Sequence, residues 1–264
     1  MMTSPLPCCP TFVVIGAMRC GTTSFHAFLS GHPDIYMSPI KGPALFVDPA
    51  EPIRYPSKYV SLVQKRRNLS DAELIAEMTR RYAGERHFGE ATDLYTRFPA
   101  ISSGVPSKMF RTNPDMKLMY LVRHPGDRIL SQFRFEQLKP LNRPPVELAD
   151  YLNSSCDVVS TSLYHQQLSR FLNSGFHPDA IHLIVLEELL SDPIEGWKSV
   201  CRFLRIPVVE PSPFPRLNCV SVHRSSLGGS ESLPAPILSR LQRDVERLEA
   251  FIGRRIGAWH ERRV

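Results

Sequence analysis

The sequence predicts an α/β protein in which a central parallel sheet carries helices on both faces within a single domain. The first observation is a short apolar run, Phe12 to Ile15, which leads into a glycine turn and then a helical pattern. The second is Met116 to Val122, a near-continuous apolar segment of the kind buried on both faces of a parallel sheet. The third is the alternation of such strands with amphipathic helices, which is typical of parallel α/β folds.

The segment Gly16-Ala17-Met18-Arg19-Cys20-Gly21-Thr22-Thr23 predicts a phosphate-binding loop between the first strand and the first helix. Glycines let the backbone approach a ligand, and the N–H groups at the start of a helix attract negative charge. The nucleotide-hydrolase form of this loop requires Lys where the chain has Thr22, and the cation here, Arg19, lies inside the loop. The pattern therefore favours a phosphate ligand but not ATP or GTP chemistry.

Between the first helix and residue 100 the sequence predicts an irregular segment, a helix and a strand. The proline-rich stretch His32 to Pro56 predicts a long ordered loop that faces a substrate. An amphipathic helix is predicted over Asp71 to Tyr82, with Ser70 as its N-cap. A short strand, His87 to Glu90, follows and ends in the turn Ala91 to Asp93.

The second half continues the alternation of strands and helices. The strand Met116 to Val122 is followed by a helix over Ile129 to Leu138. The next predicted elements are a helix, a buried strand and two more helices: Leu163 to Leu172, Ile181 to Leu186, Ile194 to Leu204 and Pro236 to Ile252. Because no linker or repeat interrupts the pattern, we expect one domain over residues 11–264, preceded by a flexible lead-in at residues 1–10.

The charge of the chain is basic, with 32 Lys and Arg against 26 Asp and Glu and a net charge of +6. Such a balance suits a polyanionic partner, and it is equally compatible with a role in solubility alone. The basic runs, such as Lys65 to Arg67, have no interleaved aromatic residues, so we do not expect nucleic-acid binding. No feature of the sequence specifies an oligomeric state.

The cysteines and the N-terminus exclude several classes of protein. The six cysteines form no C-x-x-C pair or Cys/His cluster, so we expect reduced thiols and no metal site. The first ten residues lack the basic and apolar regions of a signal peptide, and no apolar run approaches the ~20 residues of a membrane span. We therefore expect no membrane span and a cytoplasmic location.

Two blocks of sequence resemble the sulfotransferases that use 3′-phosphoadenosine 5′-phosphosulfate (PAPS). The first block contains Arg19-Cys20-Gly21-Thr22-Thr23, His32-Pro33 and Lys41-Gly42-Pro43 followed by Phe46, similar to the [KR]-x-G-T-T, His-Pro and Lys-x-Pro elements of that family. The second runs from Leu118 to Phe133 and is similar to its R-[DN]-P-x-x-R-x-x-S motif. The resemblance is nearest to bacterial and carbohydrate-type members, covers most of the chain and implies a P-loop-containing sulfotransferase-like fold.

The resemblance implies a binding site for PAPS and its product, 3′-phosphoadenosine 5′-phosphate (PAP), without a metal. The 5′-phosphosulfate would be held by the loop residues Arg19, Cys20, Gly21, Thr22, Thr23 and Ser24. Arg123 and Ser131 would hold the 3′-phosphate. His223 and Arg224 stand where the family has a basic pair in a loop that closes over the cofactor, although the same segment also fits a plain surface loop.

The general base is where the chain departs from the family. Carbohydrate-type relatives have Glu where this chain has Gly42, and relatives that act on phenols have Lys and His where it has Ala91 and Asp93. We therefore predict Asp93 as the base, with Glu90 as the second candidate, although either carboxylate would equally well cap a turn. Lys41 keeps its place in the motif and would neutralise charge on the sulfonate, together with Arg19.

The resemblance thus implies transfer of a sulfuryl group from PAPS to a hydroxyl or amine of a small-molecule or carbohydrate acceptor. One alternative is a catalytically degenerate member that binds PAPS or an acceptor without turnover, which Gly42 and Ala91 leave open. Another is a P-loop kinase, which would need Lys at position 22 and an acidic residue where Arg123 ends a strand.

Overall fold

The computed structural model describes residues 8–50, 68–101, 103–138, 147–154, 157–217 and 232–260. Within these residues the chain forms a parallel five-stranded sheet with helices packed around it. The strands, in chain order, are β1 (Phe12–Gly16), β2 (Ile35–Met37), β3 (His87–Ala91), β4 (Lys117–Val122) and β5 (Ile181–Val185). This architecture confirms the predicted fold class.

The helices of the described residues differ widely in length. They are α1 (Thr22–Leu29), α2 (Asp71–Met78), α3 (Val105–Thr112), α4 (Pro125–Gln137), α5 (Leu148–Ser154), α6 (Tyr164–Asn173), α7 (Leu186–Ser191), α8 (Pro193–Leu204), α9 (Ala235–Ile252) and α10 (Gly257–His260), with 3-10 turns at Ser160–Ser162 and Pro178–Ala180. No helix among the described residues is long and apolar enough to span a bilayer.

The centre of the sheet is buried on both faces. All five residues of β1 are buried, as are the last five of β4. Because successive residues of a strand point to opposite faces, this unbroken burial means that helices and loops cover both sides. Phe12 packs over Gly89 of the neighbouring strand so closely that a Cβ atom at Gly89 would lie 2.1 Å from its ring. The continuous burial predicted for the strand Met116 to Val122 is confirmed by β4.

The strand order, β2-β3-β1-β4-β5, places the functional crevice. The chain leaves β1 for the edge strand β2, returns to pair β3 with β1, and then crosses to β4 on the other side. In open α/β sheets a ligand binds outside the carboxyl ends of the strands where the order reverses. Here that place lies beyond β1, β3 and β4, which are followed by Arg19, Asp93 and Arg123.

The prediction that the segment from His32 onward is irregular is wrong for Ile35–Met37, which forms β2. This short strand pairs in parallel with β3, with Ile35 opposite His87. Pro33 and Pro39 lie just outside it, so no proline removes a donor from the ladder. Residues 51–56 of the same segment lie outside the described part of the chain.

Two predicted helices have different ends in the structure. The helix after Ser70 has the expected capping box, in which the Ser70 hydroxyl accepts from the Glu73 N–H at 3.2 Å and the Glu73 carboxylate accepts from the Ser70 N–H at 2.8 Å. It ends at Met78 rather than Tyr82, because Thr79 leaves helical geometry. The helix predicted from Ile129 begins earlier, at Pro125, whose fixed φ suits the first helical position.

Candidate active site

A cavity of about 450 Å³ opens at the carboxyl ends of the strands. Eight of the predicted site residues line it: Arg19, Gly21, Thr22, Thr23, Ser24, Asp93, Arg123 and Ser131. The structure therefore brings the two sequence motifs and the candidate base to one place. Cys20, Glu90 and Lys41 do not line this cavity, and His223 and Arg224 lie outside the described residues.

The loop after β1 turns into α1 through Gly21. Gly21 has a φ of 81°, in the left-handed region, and a side chain there would contact Leu186 at 3.0 Å. Both facts explain why the position suits glycine. The first N–H groups of α1, from Thr22 onward, have no partner within the helix and carry its positive dipole end. The loop thus presents backbone donors to an anion in the cavity.

Arg19 and Ser131 join the two motifs directly. Arg19 Nε donates a hydrogen bond to Ser131 Oγ at 3.1 Å, although the residues are 112 apart in sequence. The Arg19 guanidinium also lies 4.3 Å from the centre of the Phe135 ring, close enough for a cation–π contact. These two contacts fix the direction of the guanidinium along the cavity wall.

The backbone of Arg123 is anchored by a buried tyrosine. The Tyr164 hydroxyl donates to the Arg123 carbonyl oxygen at 2.7 Å and accepts from the Arg123 N–H at 3.4 Å. The same oxygen lies 3.7 Å from Cys20 Sγ in the phosphate loop. Tyr164 therefore ties the end of β4 to the loop after β1, which holds Arg123 at a fixed distance from Arg19.

Cys20 is a packing residue beneath the loop. Its side chain is fully buried, and burial raises the pKa of the thiol to about 11. Its N–H donates to the Ala17 carbonyl at 3.1 Å, within the loop itself. The predicted contact between Cys20 and the cofactor finds no support in this position.

Arg128 supports the same loop from below. It is fully buried and donates to the carbonyl oxygen of Met18 at 3.5 Å and to Gln132 Oε1 at 2.7 Å. It also donates to the Ser162 hydroxyl and the Val158 carbonyl. Its charge is thus spread over neutral acceptors that connect α4, the loop and the 3-10 turn.

The two candidate bases differ in their access to the cavity. Asp93 lines it and is partly exposed. Glu90 is fully buried, accepts a hydrogen bond from the Thr92 hydroxyl at 2.8 Å, and has its pKa raised to about 7 by that burial. Lys41 Nζ donates to the Ala91 carbonyl at 3.3 Å, at the end of β3. Only one of these three side chains, Asp93, reaches the cavity.

Several lining residues escaped the sequence analysis. Arg134 and Phe135 lie three and four positions after Ser131, so the helical period could have identified them. Arg216 has no such local signal. The structure brings it to the cavity because the Leu217 N–H donates to Ser24 Oγ at 2.9 Å and the Ser24 hydroxyl donates to the Leu217 carbonyl at 3.4 Å. Ser24, predicted to contact the cofactor, is thus engaged by the chain itself.

The charge of the cavity is strongly biased. Four guanidinium groups line it, those of Arg19, Arg123, Arg134 and Arg216, and among the described lining residues Asp93 is the acidic one. A parallel sheet whose carboxyl ends carry a loop of backbone donors and several arginines defines an α/β protein with a positively charged cavity.

Comparison with known proteins gives the family. A family model described as a sulfotransferase domain matches residues 10–214. The chain belongs to the sulfotransferase family, as the two motifs implied, and is thus a member of a family of enzymes that generally use PAPS.

Solved structures of this family share the fold. A sulfotransferase from Alicyclobacillus acidocaldarius superposes with a TM-score of 0.75 and 25% sequence identity, over 96% of this chain and 99% of that one. The sulfotransferase domain of the curacin biosynthetic pathway gives a TM-score of 0.55 at 20% identity, over 93% of this chain and 99% of that one. The second likeness shows the fold alone.

Curated relatives match shorter parts of the chain. The membrane-associated sulfotransferase kil1 of Dictyostelium discoideum is 29% identical over 165 residues, which cover 60% of this chain and 30% of that protein. The mouse heparan sulfate glucosamine 3-O-sulfotransferase 5 is 25% identical over 122 residues, 40% of this chain and 34% of that protein. The matched regions thus span about a third of the length of these relatives.

Proposed function

We propose that the protein transfers a sulfuryl group from PAPS to a hydroxyl or amine of a small-molecule or carbohydrate acceptor. The observation that carries the proposal is the contact between Arg19 and Ser131 on a cavity that Arg123 and the start of α1 also line. These groups come from the two motifs that the family uses for the two phosphate positions of PAPS.

The cationic and hydroxyl groups of the cavity suit the anionic groups of PAPS. Arg19, with the Thr22 and Thr23 hydroxyls and the N–H groups of the first turn of α1, would hold the 5′-phosphosulfate. Arg123 and Ser131 would hold the 3′-phosphate through charge-assisted hydrogen bonds. When bound, PAPS supplies the sulfuryl group and PAP is the product that leaves. Arg19 would neutralise the negative charge that develops on the departing phosphate oxygen.

Asp93 is proposed as the general base. It is the carboxylate that lines the cavity, and a base must come within hydrogen-bond reach of the proton that it accepts. The acceptor oxygen or nitrogen forms its bond to sulfur as the bond from sulfur to the phosphate oxygen breaks, and its proton passes to an Asp93 carboxylate oxygen. Lys41 contributes positive charge near the end of β3, although its bond to Ala91 does not support direct contact with the sulfonate.

The acceptor remains open between small molecules and carbohydrates. The name of the mouse relative identifies a glucosamine residue of heparan sulfate as its substrate, which supports testing amino sugars. The Glu that carbohydrate-type relatives carry is replaced by Gly42, so phenols and alcohols belong in the same test. A cytoplasmic location stays a prediction, which cell fractionation would check.

A thermal-shift comparison tests the cofactor first. The unfolding temperature of the whole chain is measured with PAP, with ATP and Mg²⁺, and in buffer alone. A ligand present at 100 times its Kd should add ~2.7 kcal/mol to the free energy of unfolding. Of these additions, we expect only PAP to raise the midpoint temperature of unfolding. The Arg123→Gln variant should lose the shift, whereas Arg240→Gln, a change at an exposed position of α9, should keep it.

Radiolabelled PAPS with a panel of phenols, alcohols and amino sugars then tests transfer. Labelled product from any acceptor supports the proposed reaction. Stabilisation by PAP without product from the panel would favour the degenerate, binding-only member. A larger response to ATP with Mg²⁺ than to PAP would favour the kinase.

A further inference from the structure

Glu90 lies beneath the turn that carries the candidate base. It is the fourth residue of β3, opposite Val13 of β1, and its side chain is fully buried. The Thr92 hydroxyl donates to Glu90 Oε2 at 2.8 Å, and the buried Tyr95 side chain faces the same carboxyl group. Thr92 comes directly before Asp93 in the chain, so the carboxyl group holds the start of the Asp93 turn.

The hydroxyls of Thr92 and Tyr95 also hold the segment that follows Lys41. The Ala44 N–H donates to Thr92 Oγ1 at 3.2 Å, and the Phe46 N–H donates to the Tyr95 hydroxyl oxygen at 3.3 Å. A hydroxyl has one proton to donate, and the Thr92 oxygen already accepts a backbone N–H. The Thr92 proton goes to Glu90, which completes a relay from the Ala44 amide through the Thr92 hydroxyl to the Glu90 carboxyl.

We propose that Glu90 is a positioning residue, which fixes the Asp93 turn and the Lys41 segment through the Thr92 hydroxyl. The relay stands on its two hydrogen bonds, and its effect on catalysis rests on the proposed function.

Burial assigns Glu90 this role in place of that of a base. A base must reach the acceptor, and Glu90 has no exposed surface and does not line the cavity, whereas Asp93 does. The titratable groups that face the Glu90 carboxyl are Lys41, from the segment above, and Tyr95, from the turn. Replacing Glu90 should therefore disturb geometry on the acceptor side while leaving the phosphate loop in place.

Amide hydrogen exchange tests the relay without any ligand. In Glu90→Leu the Thr92 hydroxyl loses its acceptor, so we expect exchange at Ala44 to rise by roughly tenfold, whereas Glu90→Gln keeps one acceptor oxygen and should leave it unchanged. Thr92→Val should also raise exchange at Ala44, and Thr92→Ser, which keeps the hydroxyl, should not. Unchanged exchange at Ala44 in both Glu90→Leu and Thr92→Val would overturn the proposal.

Kinetics test the consequence for the reaction. With PAPS and the acceptor found in the panel, Glu90→Leu and Thr92→Val should lower kcat by roughly tenfold, with the PAP-induced thermal shift unchanged. The conservative variants Glu90→Gln and Thr92→Ser should stay near wild type. An unaltered kcat in Glu90→Leu and Thr92→Val would contradict the positioning role.

The exchange and kinetic measurements together distinguish failure of the proposed function from failure of the positioning role. If the wild-type protein transfers no sulfate, the proposed function fails, and the exchange rates still decide whether Glu90 holds the segment. If transfer occurs and the exchange rates do not respond to Glu90→Leu and Thr92→Val, the proposed function stands and the positioning role fails.

Discussion

The cavity has a first wall that carries Arg19 and a second wall that carries Asp93, and the two walls hold their charges in different ways. On the first wall Arg19 bonds Ser131 and lies over Phe135, and guanidinium groups stay charged at any physiological pH. On the second wall Asp93 lies on a turn that begins at Thr92, whose hydroxyl donates to the buried Glu90. The first wall therefore depends on fixed charge and the second on buried hydrogen bonds, so substitutions should separate cofactor affinity from turnover.

The largest expected effect is on the second wall. Asp93→Asn removes the proposed base and should lower sulfate transfer by roughly 10²–10⁴-fold, while the PAP-induced thermal shift stays as in wild type. Asp115→Asn, at an exposed position, serves as the matched control. If Asp93→Asn weakens PAP binding as much as it lowers turnover, the two walls are not separable.

Glu90 should make stability depend on pH. Its pKa is raised from 4.5 to about 7 by burial, so the folded state favours the protonated form. The contribution of Glu90 to the free energy of unfolding is largest below pH 4.5, falls as the pH rises towards 7, and changes little above pH 7. Relative to Glu90→Gln, the wild type should lose up to about 3 kcal/mol of unfolding free energy over this range. Urea unfolding at pH 5 and pH 8 measures the unfolding free energy of both proteins. The prediction is refuted if that free energy changes equally with pH in the wild type and in Glu90→Gln.

Arg123→Ala should act on the first wall. The loss of a charge-assisted hydrogen bond predicts a weakening of PAP binding by ~1–3 kcal/mol. Isothermal calorimetry with PAP measures the effect, with Arg240→Ala as the control on an exposed helical position. An unchanged Kd would remove Arg123 from the 3′-phosphate site.

The smallest expected effect concerns the segment that delivers Arg216. Ser24→Ala removes both hydrogen bonds to Leu217 and should lower the unfolding free energy by about 1 kcal/mol. We expect PAP affinity to fall less than in Arg123→Ala, since Arg216 loses its anchor but not its charge. A larger loss of affinity than in Arg123→Ala would mean that Ser24 contacts the cofactor itself.

Much of the fold could be predicted because its signals are local. The apolar runs of β1 and β4, the cap at Ser70 and the stripe of α9 each lie within a short window. β2 could not be predicted in this way, because three residues between Pro33 and Pro39 carry too little pattern. Their strand conformation comes from pairing with β3, which is remote in sequence.

The residues of the candidate active site also differ in whether a local sequence pattern predicts them. Arg19, Arg123 and Ser131 stand in short motifs, so the sequence alone is enough to predict that they share one site. The burial of Glu90 and the position of Arg216 at the cavity depend on contacts between residues remote in sequence, and no local spacing predicts them. The roles of all these residues in catalysis stay predictions.

Cys20 gives the phosphate loop a native reporter. Its thiol is buried against Tyr164 and, with a pKa of about 11, carries almost no thiolate at neutral pH. Alkylation of this thiol therefore requires the loop to separate from Tyr164 first. The exposed Cys8 should react at once and Cys20 slowly, so the slow phase of labelling at the Cys20 peptide, measured apart from the equally buried Cys201, times the opening of the loop. A ligand that bridges the loop and Arg123 should lengthen that phase, with no probe added to the protein.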